Sequence, residues 1–238
     1  AGALLARHWR VSAFASRATD ALSFDDVADV PVHVEEDAGV LVSAVVDARP
    51  DLVVVSPGIP AHHPIFTACQ DAGIDLWGEV ELAWRLQEEG PHAGRPWLTV
   101  TGTNGKTTTV GMLGEILRAS GVEAEEVGNI GTPITRAIDS DAEVFAVELS
   151  SFQLHTARTV RPLASVCLNV DADHLDWHGS VEAYAADKAR VYENTLRACV
   201  YPASDRRIEA MVENADVVEG AGYWSDARCS GGLAVRYR

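Results

Sequence analysis

The residues with the clearest chemical signature are Thr101-Gly-Thr-Asn-Gly-Lys-Thr-Thr-Thr109, set between an apolar run and a helix-like stretch. Gly102 and Gly105 let a backbone curl until the N–H groups of Thr103, Asn104 and Lys106 converge on an anion. A helix starting behind them adds its positive end. In such a loop Lys106 reaches the outer phosphates of a nucleotide, and the Thr107 hydroxyl, beside Thr108, faces a divalent cation. The general phosphate-loop pattern places a glycine where this chain has Val100, so the loop is a variant of the GTNGKT kind. The bland alternative is a chance glycine-rich turn, which the strand–turn–helix setting disfavours.

Three further segments carry candidate groups. Glu148 closes the apolar run Val144–Val147, where a strand-end carboxylate is placed to hold Mg²⁺ together with phosphate oxygens and water. Alone, such a glutamate is more often simply solvated. Ser150-Ser-Phe-Gln-Leu154 is polar where the strand should turn, so Ser150 and Gln153 are candidates to line the same crevice. Asn169-Val-Asp-Ala-Asp-His-Leu-Asp-Trp-His178 follows another strand and offers His174 among three aspartates. It matches no zinc spacing and has no neighbouring cysteine, so a structural zinc site is rejected. Finally, Val181, Tyr184, Ala185, Lys188, Val191 and Tyr192 share one helical face, which puts the Lys188 ammonium among apolar side chains. Either it snorkels to water or it has a specific partner.

These groups need a scaffold, and the pattern supplies an α/β one. Strands are expected at Val11–Phe14, Leu52–Val55, Ile74–Trp77, Trp97–Thr101, Val144–Val147, Ser165–Val170 and Ala198–Tyr201. Helices are expected at Ile65–Ala72, Glu79–Gln87, Thr107–Ser120 and Val181–Thr195. Val40–Val46 is too short for its periodicity to decide. The polar stretch from Glu88 to Pro96 is the best linker, which sets a boundary between units 1–92 and 93–238. Beyond Ala203 the pattern weakens.

Composition narrows the partners. The 238 residues carry 19 Lys and Arg against 35 Asp and Glu, a formal charge of −16, which disfavours nucleic acid and anionic membranes. A small anion in a local amide-lined pocket remains allowed. Cys69, Cys167, Cys199 and Cys229 lie 98, 32 and 30 residues apart, with no CxxC pair. Reduced thiols in a cytoplasmic compartment are therefore expected. No apolar run approaches the roughly 18 residues of a membrane span.

Taken together, Ser56-Pro-Gly-Ile-Pro60, Thr101–Thr108, Gly128-Asn-Ile-Gly131, Glu148–Leu154, Asn169–His178 and Ala185-Ala-Asp-Lys-Ala-Arg190 resemble the ATP-dependent Mur ligases of peptidoglycan assembly. The GTNGKT turn and the DH…K pair are shared with folylpolyglutamate ligases, whereas SPGIP and ELSSFQL point to the member that adds D-glutamate. The resemblance implies a truncated Rossmann-like N-terminal domain that grips UDP, lacking its first strand. It further implies an incomplete central P-loop domain with a mostly parallel sheet, and a C-terminal amino-acid-binding domain that is absent. It implies that ATP and two Mg²⁺ ions are used to join D-glutamate to UDP-N-acetylmuramoyl-L-alanine through an acyl phosphate, and that the chain alone is inactive. Thr107 and Glu148 would hold one Mg²⁺, and His174 with an N6-carboxylated Lys188 the second. Asn129 and His174 would contact the sugar substrate, with Ser56, Gly58 and Arg17 near its uridine or diphosphate. The rival readings are a generic P-loop NTPase or kinase, another Mur-type or folylpolyglutamate-like ligase, and a non-catalytic nucleotide-binding fragment.

Overall fold

The computed structural model describes residues 1–17, 29–216, 225–228 and 233–237. They form two compact units, one of residues 1–55 and 62–77, the other of residues 56–61 and 78–238.

The first unit contains α1 (Gly2–Leu5), β1 (Ala13–Ala15), β2 (Val32–Val34), α2 (Ala38–Asp47), β3 (Leu52–Val55), α3 (Ile65–Ala72) and β4 (Asp75–Gly78). β1 and β2 pair in parallel, while β3 and β4 make a separate two-stranded sheet. The ambiguous run Val40–Val46 is helical because Asp37 caps it, its carboxylate accepting from Val40 N at 2.9 Å. α3 stops at Gly73, whose φ of 67° is the left-handed conformation glycine permits.

The second unit continues with α4 (Glu79–Glu88), β5 (Trp97–Thr101), α5 (Lys106–Ala119), β6 (Ala124–Gly128), α6 (Ile134–Ala137), β7 (Val144–Glu148) and α7 (Ser151–His155). Then come β8 (Ala164–Cys167), α8 (Leu175–His178), α9 (Val181–Ala189), a 3₁₀ turn (Arg190–Tyr192), β9 (Ala198–Pro202), α10 (Arg206–Asn214), β10 (Ser225–Arg228) and β11 (Leu233–Tyr237). One sheet runs β10-β11-β9-β8-β5-β7-β6; the five strands from β9 to β6 are parallel, and β11 is antiparallel to both its neighbours. The expected α/β class with a mostly parallel sheet is what forms.

β5 lies at the centre of the parallel set, covered on both faces, so Trp97, Thr99, Val100 and Thr101 are all buried. Its polar members are satisfied within the core: Thr99 Oγ1 meets Ser165 Oγ at 2.9 Å, and Ser165 Oγ meets Thr195 Oγ1 at 2.9 Å. β6 escaped the sequence reading because it is an edge strand, and its glutamates face partners outside the ladder. Glu125 accepts from Ser140 Oγ at 2.8 Å, and Glu126 pairs with Arg118.

The break between the compact units falls at Trp77/Gly78, upstream of the 92/93 boundary. α4 packs with the second unit because it is buried nearly all round and carries a carboxylate the second unit satisfies. Glu81 accepts from Arg158 N (2.8 Å), Thr159 N (2.9 Å), Thr159 Oγ1 (2.6 Å) and Arg85 Nε (2.7 Å). Burial alone would raise its pKa, but these donors hold it below the usual carboxylate range. The stretch expected to be a linker is tied down at its end: Gln87 donates to Arg95 O and accepts from Trp97 Nε1.

The expected helix 181–195 ends at Ala189 and tightens into the 3₁₀ turn. This swings Tyr192 under the sheet, where its hydroxyl accepts from Cys167 N (2.9 Å) and donates to Val200 O (2.7 Å). Cys69, Cys167 and Cys199 are buried and take part in no disulfide, and Cys229 lies outside the described residues. Among the described residues no helix is long and apolar enough to cross a membrane.

Candidate functional site

The loop between β5 and α5 is pinned by its first amides, those of Thr103 and Asn104, and leaves the first-turn amides of α5 to a ligand. Gly102 (φ 155°) passes so close to Leu168 and Asn169 that a side chain would press on both, and Gly105 (φ 86°) starts α5. Asn169 fastens the loop: its carbonyl accepts from Thr103 N (3.0 Å), its Oδ1 from Asn104 N (2.8 Å), and its Nδ2 donates to Asn104 O (3.0 Å). Thr103 Oγ1 also lies 3.0 Å from the Tyr184 hydroxyl. The Lys106 ammonium folds back onto the carbonyls of Gly102 (2.9 Å) and Thr103 (3.0 Å), so it is half-buried rather than free in solvent. Thr108 is exposed on the first turn of α5.

Beside the loop sits Glu148, 1% exposed at the C-terminal end of β7. Thr107 Oγ1 donates to its Oε2 (2.9 Å) and Asn129 Nδ2 to its Oε1 (2.8 Å). Asn129 is held there because Gly128 (φ 109°) lies flat against the Glu148 backbone, and Asn129 N donates to Glu148 O. The partners of this buried carboxylate are a hydroxyl and an amide, and among the described residues no ion pair reaches it, an oxygen donor set that suits a divalent cation. Among the described residues no cluster of three or more His, Cys, Asp or Glu is placed to hold a metal ion.

Lys188 is 2% exposed on α9, and its Nζ donates to Gly102 O at 2.9 Å, the same carbonyl that Lys106 uses. It also lies 4.6 Å from the centre of the Tyr184 ring. Burial, helped by the nearby Lys106 charge, lowers its pKa to about 8, although the Cys167 thiol works the other way. That thiol is itself pushed up to about 12 by burial. A buried amine near neutrality in pH is unusually nucleophilic for a lysine.

His174 begins α8 in the left-handed conformation (φ 51°), its side chain about half exposed. Its ring leans on Phe152 (4.8 Å between centroids) and on Tyr184 (6.3 Å), so it shares the Tyr184 ring with Lys188. Ser150 and Gln153 are spent on a capping box for α7: Ser150 N donates to Gln153 Oε1, and Gln153 N to Ser150 Oγ. Ser56 is exposed, and its Oγ accepts from Gly58 N at 3.3 Å. Arg17 is exposed in the other compact unit.

The sequence reading missed a buried network under His174. Ser151 Oγ lies 3.0 Å from His178 Nε2, and Asp187 accepts from His178 Nδ1 (2.9 Å) and His155 Nδ1 (2.9 Å). Burial lowers the His178 pKa against the pull of Asp187. A signal was present: Asp187 precedes Lys188, and His178 follows His174 by one helical turn.

Residues 100–221, about half of the chain, match the family model for the Mur ligase middle domain. The chain belongs to the Mur ligase family. Its curated relatives include a UDP-N-acetylmuramoylalanine–D-glutamate ligase of Streptomyces coelicolor, 52% identical over 172 residues, covering 71% of this chain and 36% of that protein. Another, from Mycolicibacterium vanbaalenii and named alike, is 60% identical over 141 residues, covering 59% of this chain and 29% of its own length. The chain therefore spans about a third of the relatives it matches. Among solved structures, the UDP-N-acetylmuramate:L-alanyl-gamma-D-glutamyl-meso-diaminopimelate ligase of Neisseria meningitides superposes with a TM-score of 0.50. It is 17% identical and covers 98% of this chain and 79% of its own, which shows the Mur ligase fold.

Proposed function

We propose that this chain is the nucleotide-binding core of an ATP-dependent carbon–nitrogen ligase that adds D-glutamate to UDP-N-acetylmuramoyl-L-alanine. The observation that carries this reading is the buried Glu148 carboxylate, bonded to Thr107 and Asn129 beside the glycine-rich turn that opens α5. The names of the relatives at about 50% identity supply the substrates.

On this reading the amides of Lys106, Thr107 and Thr108, at the start of α5, bind the ATP phosphates. Lys106 leaves the Gly102 and Thr103 carbonyls to meet the outer phosphates. Thr107 and Glu148 would hold one Mg²⁺ and His174 with Lys188 a second. When bound, such ions neutralise the charge on the transferring phosphoryl group. Lys188 is the residue to be N6-carboxylated by CO₂, because its buried amine gives up its proton near pH 8. The γ-phosphoryl group passes from ATP to a carboxylate oxygen of the alanyl end, releasing ADP. The D-glutamate amine then attacks that carbonyl carbon: a C–N bond forms, the C–O bond to phosphate breaks, and the amine loses a proton. Asn129 and His174, beside Glu148 and Tyr184, face the sugar substrate, with Ser150 and Gln153 behind them. Ser56, Gly58 and Arg17 serve its uridine or diphosphate. Residues 1–92 act as the UDP-binding domain and 93–238 as the ATP-binding one, in the cytoplasm where these precursors are made.

The test uses a version extended to the length of the relatives, supplied with Mg²⁺–ATP, UDP-N-acetylmuramoyl-L-alanine labelled with ¹⁸O in its carboxylate, and D-glutamate. Amide product with one ¹⁸O in the released phosphate is expected. Phosphate release that ignores the acceptor carboxylate would replace the ligase reading with a general nucleoside triphosphatase.

A further inference from the structure

The three segments that bring Glu148, His174 and Lys188 to the site come from distant parts of the chain, and each ends in a member of one buried hydrogen-bonded line. Ser151 follows Glu148 by three residues, His178 follows His174 by four, and Asp187 precedes Lys188. Ser151 is 2% exposed, the His178 side chain is fully buried and that of Asp187 nearly so. Asp187 occupies His178 Nδ1 at 2.9 Å, which leaves Nε2 to accept from the Ser151 hydroxyl at 3.0 Å. The other Asp187 oxygen takes His155 Nδ1 at 2.9 Å, with Arg190 Nε 3.5 Å away.

Serine on Nε2 and aspartate on Nδ1 is the bonding order of a hydrolase triad. Here the serine is sealed in, so no carbonyl can approach it and nucleophilic catalysis is excluded. What the line does touch is the packing of His174. The His178 ring stacks on Phe152 (5.4 Å, 13° between planes) and meets Tyr184 edge-on (5.1 Å). These are the same two rings that hold the His174 imidazole. His178 N also donates to His174 O (3.1 Å), closing the single turn of α8. His174 itself sits in left-handed backbone, a strained conformation for a residue with a side chain that persists only where surroundings enforce it.

We infer that Ser151, His178 and Asp187 form a positioning relay that locks the β7–α7 turn, α8 and α9 together and thereby fixes the His174 imidazole relative to Glu148 and Lys188. None of the three touches nucleotide or substrate on the reading proposed above; they are positioning residues for it.

The experiment uses the 238-residue chain with ¹³C-labelled histidine rings, reading the His174 ring signal (assigned by its loss in His174→Gln), and in parallel the affinity for Mn²⁺–ATP. In Asp187→Asn an amide replaces an acceptor that faced two N–H groups. The His174 signal is expected to leave its Phe152-shifted position while the exposed His62 signal stays. Mn²⁺–ATP affinity should fall about tenfold, the usual effect of losing a group that orients a metal-site residue. Ser151→Ala, which deletes one bond from the far end, should move the His174 signal in the same direction by less, and it decides the matter alone if Asp187→Asn fails to fold. A folded Asp187→Asn or Ser151→Ala chain with the His174 signal unmoved overturns the relay. Variants that move the His174 signal in a chain whose wild type binds no Mn²⁺–ATP support the relay and overturn the nucleotide reading instead.

Discussion

Replacing Lys188 by Met tests the cost of burying its charge. The folded-state pKa of about 8 against an ordinary 10.5 corresponds to roughly 3 kcal/mol of disfavour for the ammonium. The folded value is the lower one, so between pH 8 and 10.5 the unfolded chain binds more protons and wild-type stability rises with pH. Below pH 8 the whole cost is present. Methionine keeps the unbranched shape but gives up the bond to Gly102 O, worth about 1 kcal/mol, and Lys106 still occupies that carbonyl. The Met chain should therefore be more stable than wild type by about 2 kcal/mol at pH 7, and less stable by about 1 kcal/mol near pH 10.5. Urea denaturation in CO₂-free buffer, followed by fluorescence of the buried Trp97, gives both curves, and their difference removes every other titration. A difference that stays flat from pH 7 to 10.5 would refute the reasoning.

Gly128→Ala forces a side chain into the Glu148 backbone at a φ of 109°. It should cost about 2–3 kcal/mol of stability and displace the Thr107–Glu148 bond, measured as weakened Mg²⁺–ATP binding by calorimetry. Lys106→Ala removes a charge and its two bonds to the Gly102 and Thr103 carbonyls, so Mg²⁺–ATP affinity should fall about 10–100-fold while stability drops by only about 1 kcal/mol; unaltered affinity in the folded variant would count against the phosphate loop. Glu81→Gln exchanges a carboxylate with four donors for an amide and should destabilise the second unit by about 3 kcal/mol at pH 7. Because its folded pKa is depressed, that contribution is present at neutral pH and lost as pH falls below the ordinary carboxylate range, so the two denaturation curves should converge in acid. With ¹³C-bicarbonate and Mg²⁺–ATP, wild-type chain should show a protected carbamate signal that Lys188→Met lacks.

Much of the site was legible because it is written in local patterns. Residues 101–109 combine two glycines, a lysine and five threonines between a strand and a helix, which leaves few alternatives, and Lys188 is conspicuous as a cation on an apolar helical face. What was not legible depends on contacts across the sheet. Asn169 stands in a polar loop in sequence, yet in space it clamps Thr103 and Asn104 from 65 residues away. Ser151, His178 and Asp187 are individually ordinary, and only folding aligns them. Ser150 and Gln153 were read as crevice-lining groups; their spacing also fits a capping box, and the structure spends them there. The attachment of α4 was not legible either, because Glu81 finds its donors at Arg158 and Thr159, 77 and 78 residues along the chain.

The sheet order has a kinetic consequence. β5 lies between β8 and β7, so the phosphate loop meets Glu148, 41 residues beyond Thr107, and Lys188, 86 residues beyond Gly102. Contacts of such sequence separation form late, after most loop-closure entropy has been spent. A nucleotide that needs all of them has little to bind in the folding transition state, so its stabilisation falls on the other limb of the reaction. Mg²⁺–ATP should slow the unfolding of this chain while leaving its refolding rate nearly untouched, making bound nucleotide a lock on finished molecules rather than a guide for unfinished ones.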